Sequence, residues 1–202
     1  MGVYKLSTAG GLATPRTNYS SFLAGNPAVQ FTSYESIATV TVGAGGAANV
    51  TFSSIPATYT HLQLRLICRD TGPFAERSLF IEYNGNSPTG SNSFHTLFGN
   101  GSTATANAQS NQGRYASLIP IPAASATANV FSAQVIDILD YANTNKTKVT
   151  RILSGYDANG TGAIGIDSYL YNSTSAISSI HLYPNNSFPQ YSQIALYGIK
   201  GA

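Results

Sequence analysis

The run Asn49-Val-Thr-Phe-Ser-Ser-Ile-Pro-Ala-Thr-Tyr-Thr-His-Leu-Gln-Leu-Arg-Leu-Ile-Cys-Arg69 decides the fold class of this 202-residue chain. Val50 and Phe52 alternate with Thr51 and Ser53. A loop holding Pro56 follows, and the period of two then resumes as Leu62, Leu64 and Leu66 against Gln63 and Arg65. Successive side chains of a strand point to opposite faces, so this alternation is the mark of half-buried antiparallel strands.

The same texture extends outward in both directions. Strands are expected over 34–42, 48–53, 60–69, 78–83, 93–98, 114–119, 130–139, 148–155, 164–171, 177–183 and 193–199, about eleven in all. Between them, Asn84-Gly85-Asn86, Gly99-Asn100-Gly101 and Asn159-Gly160 supply residues that tolerate positive φ. Residues 99–112, rich in Ser, Thr, Asn and Ala, are expected to form a long exposed loop, the place where a sandwich carries recognition. Residues 123–130 read as a loop with at most one helical turn. The expected fold is all-β, a single antiparallel β-sandwich of jelly-roll type over 33–202.

Residues 1–32 differ from this pattern. Gly10-Gly11, Pro15, Gly25 and Pro27 interrupt them, and Tyr4, Leu6, Leu12, Tyr19, Phe22 and Leu23 follow no period. Such a segment cannot build its own core, so it is expected to be an extended arm whose six apolar residues serve as assembly anchors.

Composition narrows the function classes. Only 9% of the residues are charged, so solubility rests on hydroxyls and amides, as suits a protein held in an assembly. The formal charge of +2 is too small and scattered to form a stripe that neutralises phosphates, and nucleic acid is not an expected partner. Lys146, Lys148 and Arg151 form the one basic cluster and read as a solvated loop and strand start. Cys68 is the single cysteine, which excludes an intrachain disulfide and a cysteine-based zinc site. No apolar stretch has the length of a membrane span, and the start lacks the apolar core of a secretory signal. The Met1-Gly2 start carries Leu6 where a myristoylation motif wants a hydroxyl. Folding in a cytoplasm is expected, with no membrane partner.

Chemistry-bearing residues do not cluster in the sequence. His61, His95 and His181 each lie in or beside an expected strand with no second ligand at metal spacing, and no Gly-x-Ser-x-Gly elbow occurs. Asp137 and Asp140 are the closest carboxylates, but an odd spacing in a strand places them on opposite faces. Asp157, Asn159 and Thr161 resemble the start of a calcium loop, yet Ser168 stands where the bidentate Glu belongs, so a turn is the better reading. Thirteen tyrosines without a tryptophan are expected to pack mostly at the rim of the sandwich. No catalytic residue, cofactor or metal ligand is therefore assigned, and the chain is not expected to be an enzyme.

Several blocks in order, 49–66, 92–102, 136–146, 175–182 and 191–200, resemble a widespread group of tailed-bacteriophage virion structural proteins, the head decoration or cement and tail-fibre-like β-sandwich proteins. The resemblance covers about 33–200 and leaves the arm outside. It implies a non-enzymatic protein displayed on the virion surface and held there by its arm, with capsid decoration or cement favoured. The alternative is a tail fibre or minor tail protein, with host-surface glycan as a ligand. It also implies major capsid or tail proteins as partners, and a symmetric homo-oligomer with a trimer favoured.

Overall fold

The structure, a computed structural model, describes residues 33–85, 92–112, 115–116 and 120–200. The chain divides into two units, residues 1–32 and 33–202. The arm anchors Tyr4, Leu6, Leu12, Tyr19, Phe22 and Leu23 lie outside the described residues.

The second unit is an antiparallel β-sandwich. Its larger sheet is built from β1 (Tyr34–Thr41), β3 (His61–Cys68), β6 (Asn92–Gly99), β7 (Ala104–Gln112), β10 (Ser132–Ile138), β11 (Lys148–Asp157), β12 (Gly162–Tyr171) and β14 (Gln193–Ile199), in the order β1-β14-β3-β10-β11-β12-β6-β7. A smaller sheet, in the order β2-β13-β5-β8, contains β2 (Val50–Phe52), β5 (Leu79–Tyr83), β8 (Tyr115–Ala116) and β13 (Ile180–Pro184). β4 (Glu76–Arg77) and β9 (Ile121–Pro122) pair with each other alongside.

The alternation in the sequence sets which face is buried. Leu62, Leu64, Leu66 and Cys68 of β3 point inward, and Leu64 sits in register between Leu196 of β14 and Ile136 of β10, which in turn opposes Ile152 of β11. From the smaller sheet, Val50, Phe52, Ile81, Tyr83, Ile180 and Leu182 meet them in one core cluster. Each such side chain, fully buried, contributes about 1.5–3 kcal/mol. Tyr83, Tyr169 and Tyr171 are part of this core and pack ring against ring, so these three tyrosines fill the centre rather than the rim.

Two expectations are corrected. Residues 104–112 are not loop: they form β7, which pairs with β6 from Gly99↔Ala104 to Asn92↔Gln112. The turn that makes this hairpin is Asn100 to Thr103, where Asn100 Oδ1 accepts the backbone N–H groups of Ser102 and Thr103 at 3.0 and 2.9 Å. Lys148 is not solvated: it is completely buried at the start of β11. Of the strand expected over 114–119, Tyr115–Ala116 is described, pairing with β5. Residues 123–130 are turns, as expected.

Three buried ions hold the loops. Arg69 donates to five backbone carbonyls of one loop: Ala123 at 2.6 Å, Ala124 at 3.4 Å, Ala126 at 3.0 Å, Thr127 at 2.7 Å and Val130 at 2.8 Å. The Lys148 ammonium donates to the carbonyls of Asn143, Lys146 (3.0 Å) and Thr174 (2.7 Å). Asp70 accepts the backbone N–H groups of Gly72 and Asn186. Gly72 leaves room for this contact: a Cβ there would lie 2.3 Å from Asn186 Oδ1 and 2.8 Å from Asp70 Oδ1, so a side chain would displace them. Desolvation of a buried ion is expensive unless its hydrogen bonds are met, and here peptide groups meet them.

Candidate interaction surface

The outward face of the larger sheet departs from the usual pattern of apolar inside and polar outside. One row of directly opposed residues runs Leu97, Ile166, Leu153, Val135 and Arg65, crossing β6, β12, β11, β10 and β3. The next runs Ile164, Gly155, Ala133 and Ile67. Ile67, Leu97, Leu153 and Ile166 are each about half exposed (51–52%), and Ile164 is 65% exposed. Strands lie about 4.8 Å apart, so the two rows cover roughly 20 Å of sheet.

β12 shows why the patch exists. Ile164 and Ile166 share one face, and Asp167, Tyr169 and Tyr171 lie on the other. Hydrophobicity alone would bury the isoleucines. The tyrosines win the core because they fill the space beneath Tyr83, and Asp167 goes in with them, accepting a hydrogen bond from Thr96. The isoleucines are left facing outward.

Two shallow depressions meet in the patch at Leu153. A depression of about 670 Å³ is lined by Leu153, Gly155, Tyr156, Ile164 and the turns at Gly99–Gly101 and Asp157–Gly162. A second, of about 420 Å³, is lined by Arg65, Ile67, Val135, Leu153, Ala195 and Tyr197. Ala133 and Leu153 line both. The floor is low because Gly155 and Ala133 carry almost no side chain, and a Cβ at Gly155 would come within 3.1 Å of the Ala163 carbonyl.

The patch borders a polar strip in which one ion pair, Arg151 with Asp137, is made and Arg65 bonds a neutral amide. Arg151 donates to Asp137 at 2.8 Å, Gln63 donates to the other Asp137 oxygen at 2.8 Å, and Arg65 donates to Gln63 at 3.0 Å. Tyr34 and Tyr197 stack with centroids 4.8 Å apart, and the Arg65 guanidinium lies 5.3 Å from the Tyr34 ring centroid.

The remaining sequence candidates are scattered. Asp140 stands in the turn after β10, not in the strand; Lys146 pairs with its carboxylate, and His61 Nδ1 accepts its backbone N–H at 3.0 Å. The Lys146 ammonium holds the Asp140 carboxyl below its ordinary value. Asp157 closes the β11–β12 turn by accepting the Asn159 N–H at 2.8 Å, with Asn159 and Gly160 left-handed. His181 bonds the Thr51 hydroxyl at 2.8 Å on the outward face of the smaller sheet, and His95 is exposed. Arg151 serves the Asp137 pair, so the basic cluster divides among three separate tasks. Among the described residues, no group of three His, Cys, Asp or Glu is placed to hold a metal, and no helix is long and apolar enough to cross a membrane.

The apolar face escaped the sequence reading, although a signal was there. Doublets such as Leu66-Ile67 and Ile152-Leu153 break strict alternation and load both faces of their strands. No protein-family description, curated protein or solved structure matches this chain.

Proposed function

We propose that this chain is a non-enzymatic structural protein of a tailed-bacteriophage virion, displayed on the particle surface as capsid decoration or cement and anchored through residues 1–32. The observation that carries this reading is the exposed apolar patch formed by Ile67, Leu97, Leu153, Ile164 and Ile166. A sandwich already closed over its core has no internal use for these side chains outside, and contiguous exposed apolar surface marks a protein contact. Beside it the Arg151–Asp137 pair is already made, and Arg65 offers a partner one cation.

A particle-binding assay with the full chain tests the reading. Deletion of residues 1–32 is expected to remove the protein from particles, and full occupancy by the truncated chain overturns the anchoring role. Leu153→Asp with Ile166→Asp is expected to weaken occupancy while the domain stays folded. A copy number that follows the capsid lattice supports head decoration. One that follows the lower symmetry of the tail favours a tail fibre or minor tail protein instead.

That second reading, with host glycan as ligand, draws on the larger depression, where Tyr156 and the exposed Asn100, Asp157 and Thr161 offer hydrogen-bonding groups beside an apolar floor. A glycan array without binding by the folded protein removes the ligand from this reading.

A further inference from the structure

β7 is the edge of the larger sheet, and every side chain from Ala104 to Asn111 is exposed. The strand therefore buries nothing. Among the described residues it is held by its ladder to β6, although ordering each of its residues costs backbone entropy. No described strand pairs with its other edge, whose backbone groups from Ala104 to Gln109 are open to a strand that can reach them.

Exposed edges are normally protected by charge, proline or a bulge. β1, at the opposite edge, has such protection: a register irregularity between Ser36 and Ala38, and Glu35 paired with Lys200 at 2.7 Å. β7, Ala-Thr-Ala-Asn-Ala-Gln-Ser-Asn-Gln, has neither charge nor proline. Its one irregularity lies at the Gln112 end and leaves Ala104–Gln109 in regular register with β6.

We propose that this edge is a homotypic contact, in which β7 of a second copy pairs antiparallel with β7 across a two-fold axis and continues the larger sheet from one copy into the next. A two-fold contact sets a surface against itself, so a charged strand would repel its own copy and an uncharged one does not. The side chains are small or short amides, so none obstructs strand approach. The axis stands perpendicular to the sheet, so outward residues meet outward residues. Ala106 and Ala108, which oppose Leu97 and His95, are outward. Ala106 of one copy then faces Ala106 or Ala108 of the other in the registers that keep Ala104–Gln109 paired. Pairing also brings the two apolar patches onto one continuous face. The inference stands on β7 and does not depend on the virion reading.

Nine residues span about 30 Å, and a strand edge of that length buries less than a standard interface, so the dimer should weaken on dilution. Sedimentation of the full chain over a concentration series is expected to show a monomer–dimer equilibrium. Ala106→Lys with Ala108→Lys is expected to give monomer, and Ala106→Glu with Ala108→Glu the same, with unfolding midpoints near that of the parent because both positions are exposed. Mixing the two variants should restore the dimer. A parent that stays monomeric at every concentration overturns the proposal, as do a lysine variant that still dimerises, a mixture that stays monomeric, or a three-fold oligomer indifferent to these substitutions.

Discussion

The hydroxyls of Tyr83 and Thr150 meet at 2.7 Å in the centre of the sandwich and join the smaller sheet to the larger. Neither reaches water, so each satisfies a group that would otherwise be stranded among Tyr169, Tyr171 and the aliphatic core. Tyr83→Phe leaves the Thr150 oxygen without this partner and should cost about 1–2 kcal/mol in denaturant unfolding. Thr150→Val does the reverse at a similar cost. The double variant should lose less than the sum, because the second change removes the group that the first one orphaned.

Lys148→Met keeps the bulk of the side chain but withdraws the donor from the carbonyls of Asn143, Lys146 and Thr174. Burial already presses the Lys148 pKa downward, so the ammonium persists through these bonds. The substitution should destabilise by about 2–4 kcal/mol, read as a lower unfolding midpoint. Lys148→Arg should not rescue it, since a planar guanidinium does not fit a cage built around a point charge.

Acid should loosen the turn after β10. Asp140 is held below its ordinary 3.8 by Lys146, and Glu35 below 4.5 by Lys200. A carboxyl with a lowered folded-state pKa binds fewer protons in the fold than in the unfolded chain. Its contribution is therefore complete above the ordinary value and disappears as the pH falls through the lowered one. Thermal midpoints should be flat from neutrality to about pH 5 and fall below about pH 4. Both pairs are partly exposed, so the slope should shrink in high salt. Lys146→Met with Lys200→Met should flatten it.

Cys68 should be silent toward thiol reagents until the domain opens. It is fully buried on β3 against Ser132, and burial pushes its thiol up to about 12. At pH 8 an alkylating reagent should label it at the rate of global unfolding, and at the rate of a free thiol in denaturant. Fast labelling of the native protein would show that the Cys68–Ser132 end of the ladder between β3 and β10 opens locally.

The strands with strict alternation were legible in the sequence. β14 matches the expected 193–199 to the residue, and β3 differs from its expectation by one residue at each end. β7 was not, because Ala, Thr, Asn, Gln and Ser carry no apolar period when neither face is buried, and only the ladder to β6 makes such a segment a strand. Lys148 was misread for a related reason. A lysine near other charges looks solvated until the chain places three carbonyls around it, and main-chain groups leave no trace in side-chain chemistry. The apolar patch was half legible in its doublets, but which face of β12 would turn outward depended on Tyr83, which lies in another sheet and far away in the chain.

The clamp at Arg69 has a consequence for how this domain can change. Arg69 binds main-chain oxygens only, so it is indifferent to which side chains the 123–130 loop displays. Lys148 grips the peptides at 143, 146 and 174, and Asp70 those at 72 and 186, in the same way. The exposed positions of the clamped segments can therefore change while the path is kept, whereas buried Ala123 and left-handed Asn129 stay constrained. Three single residues thus act as fixed pegs around which the ends of the sandwich are free to acquire new surfaces.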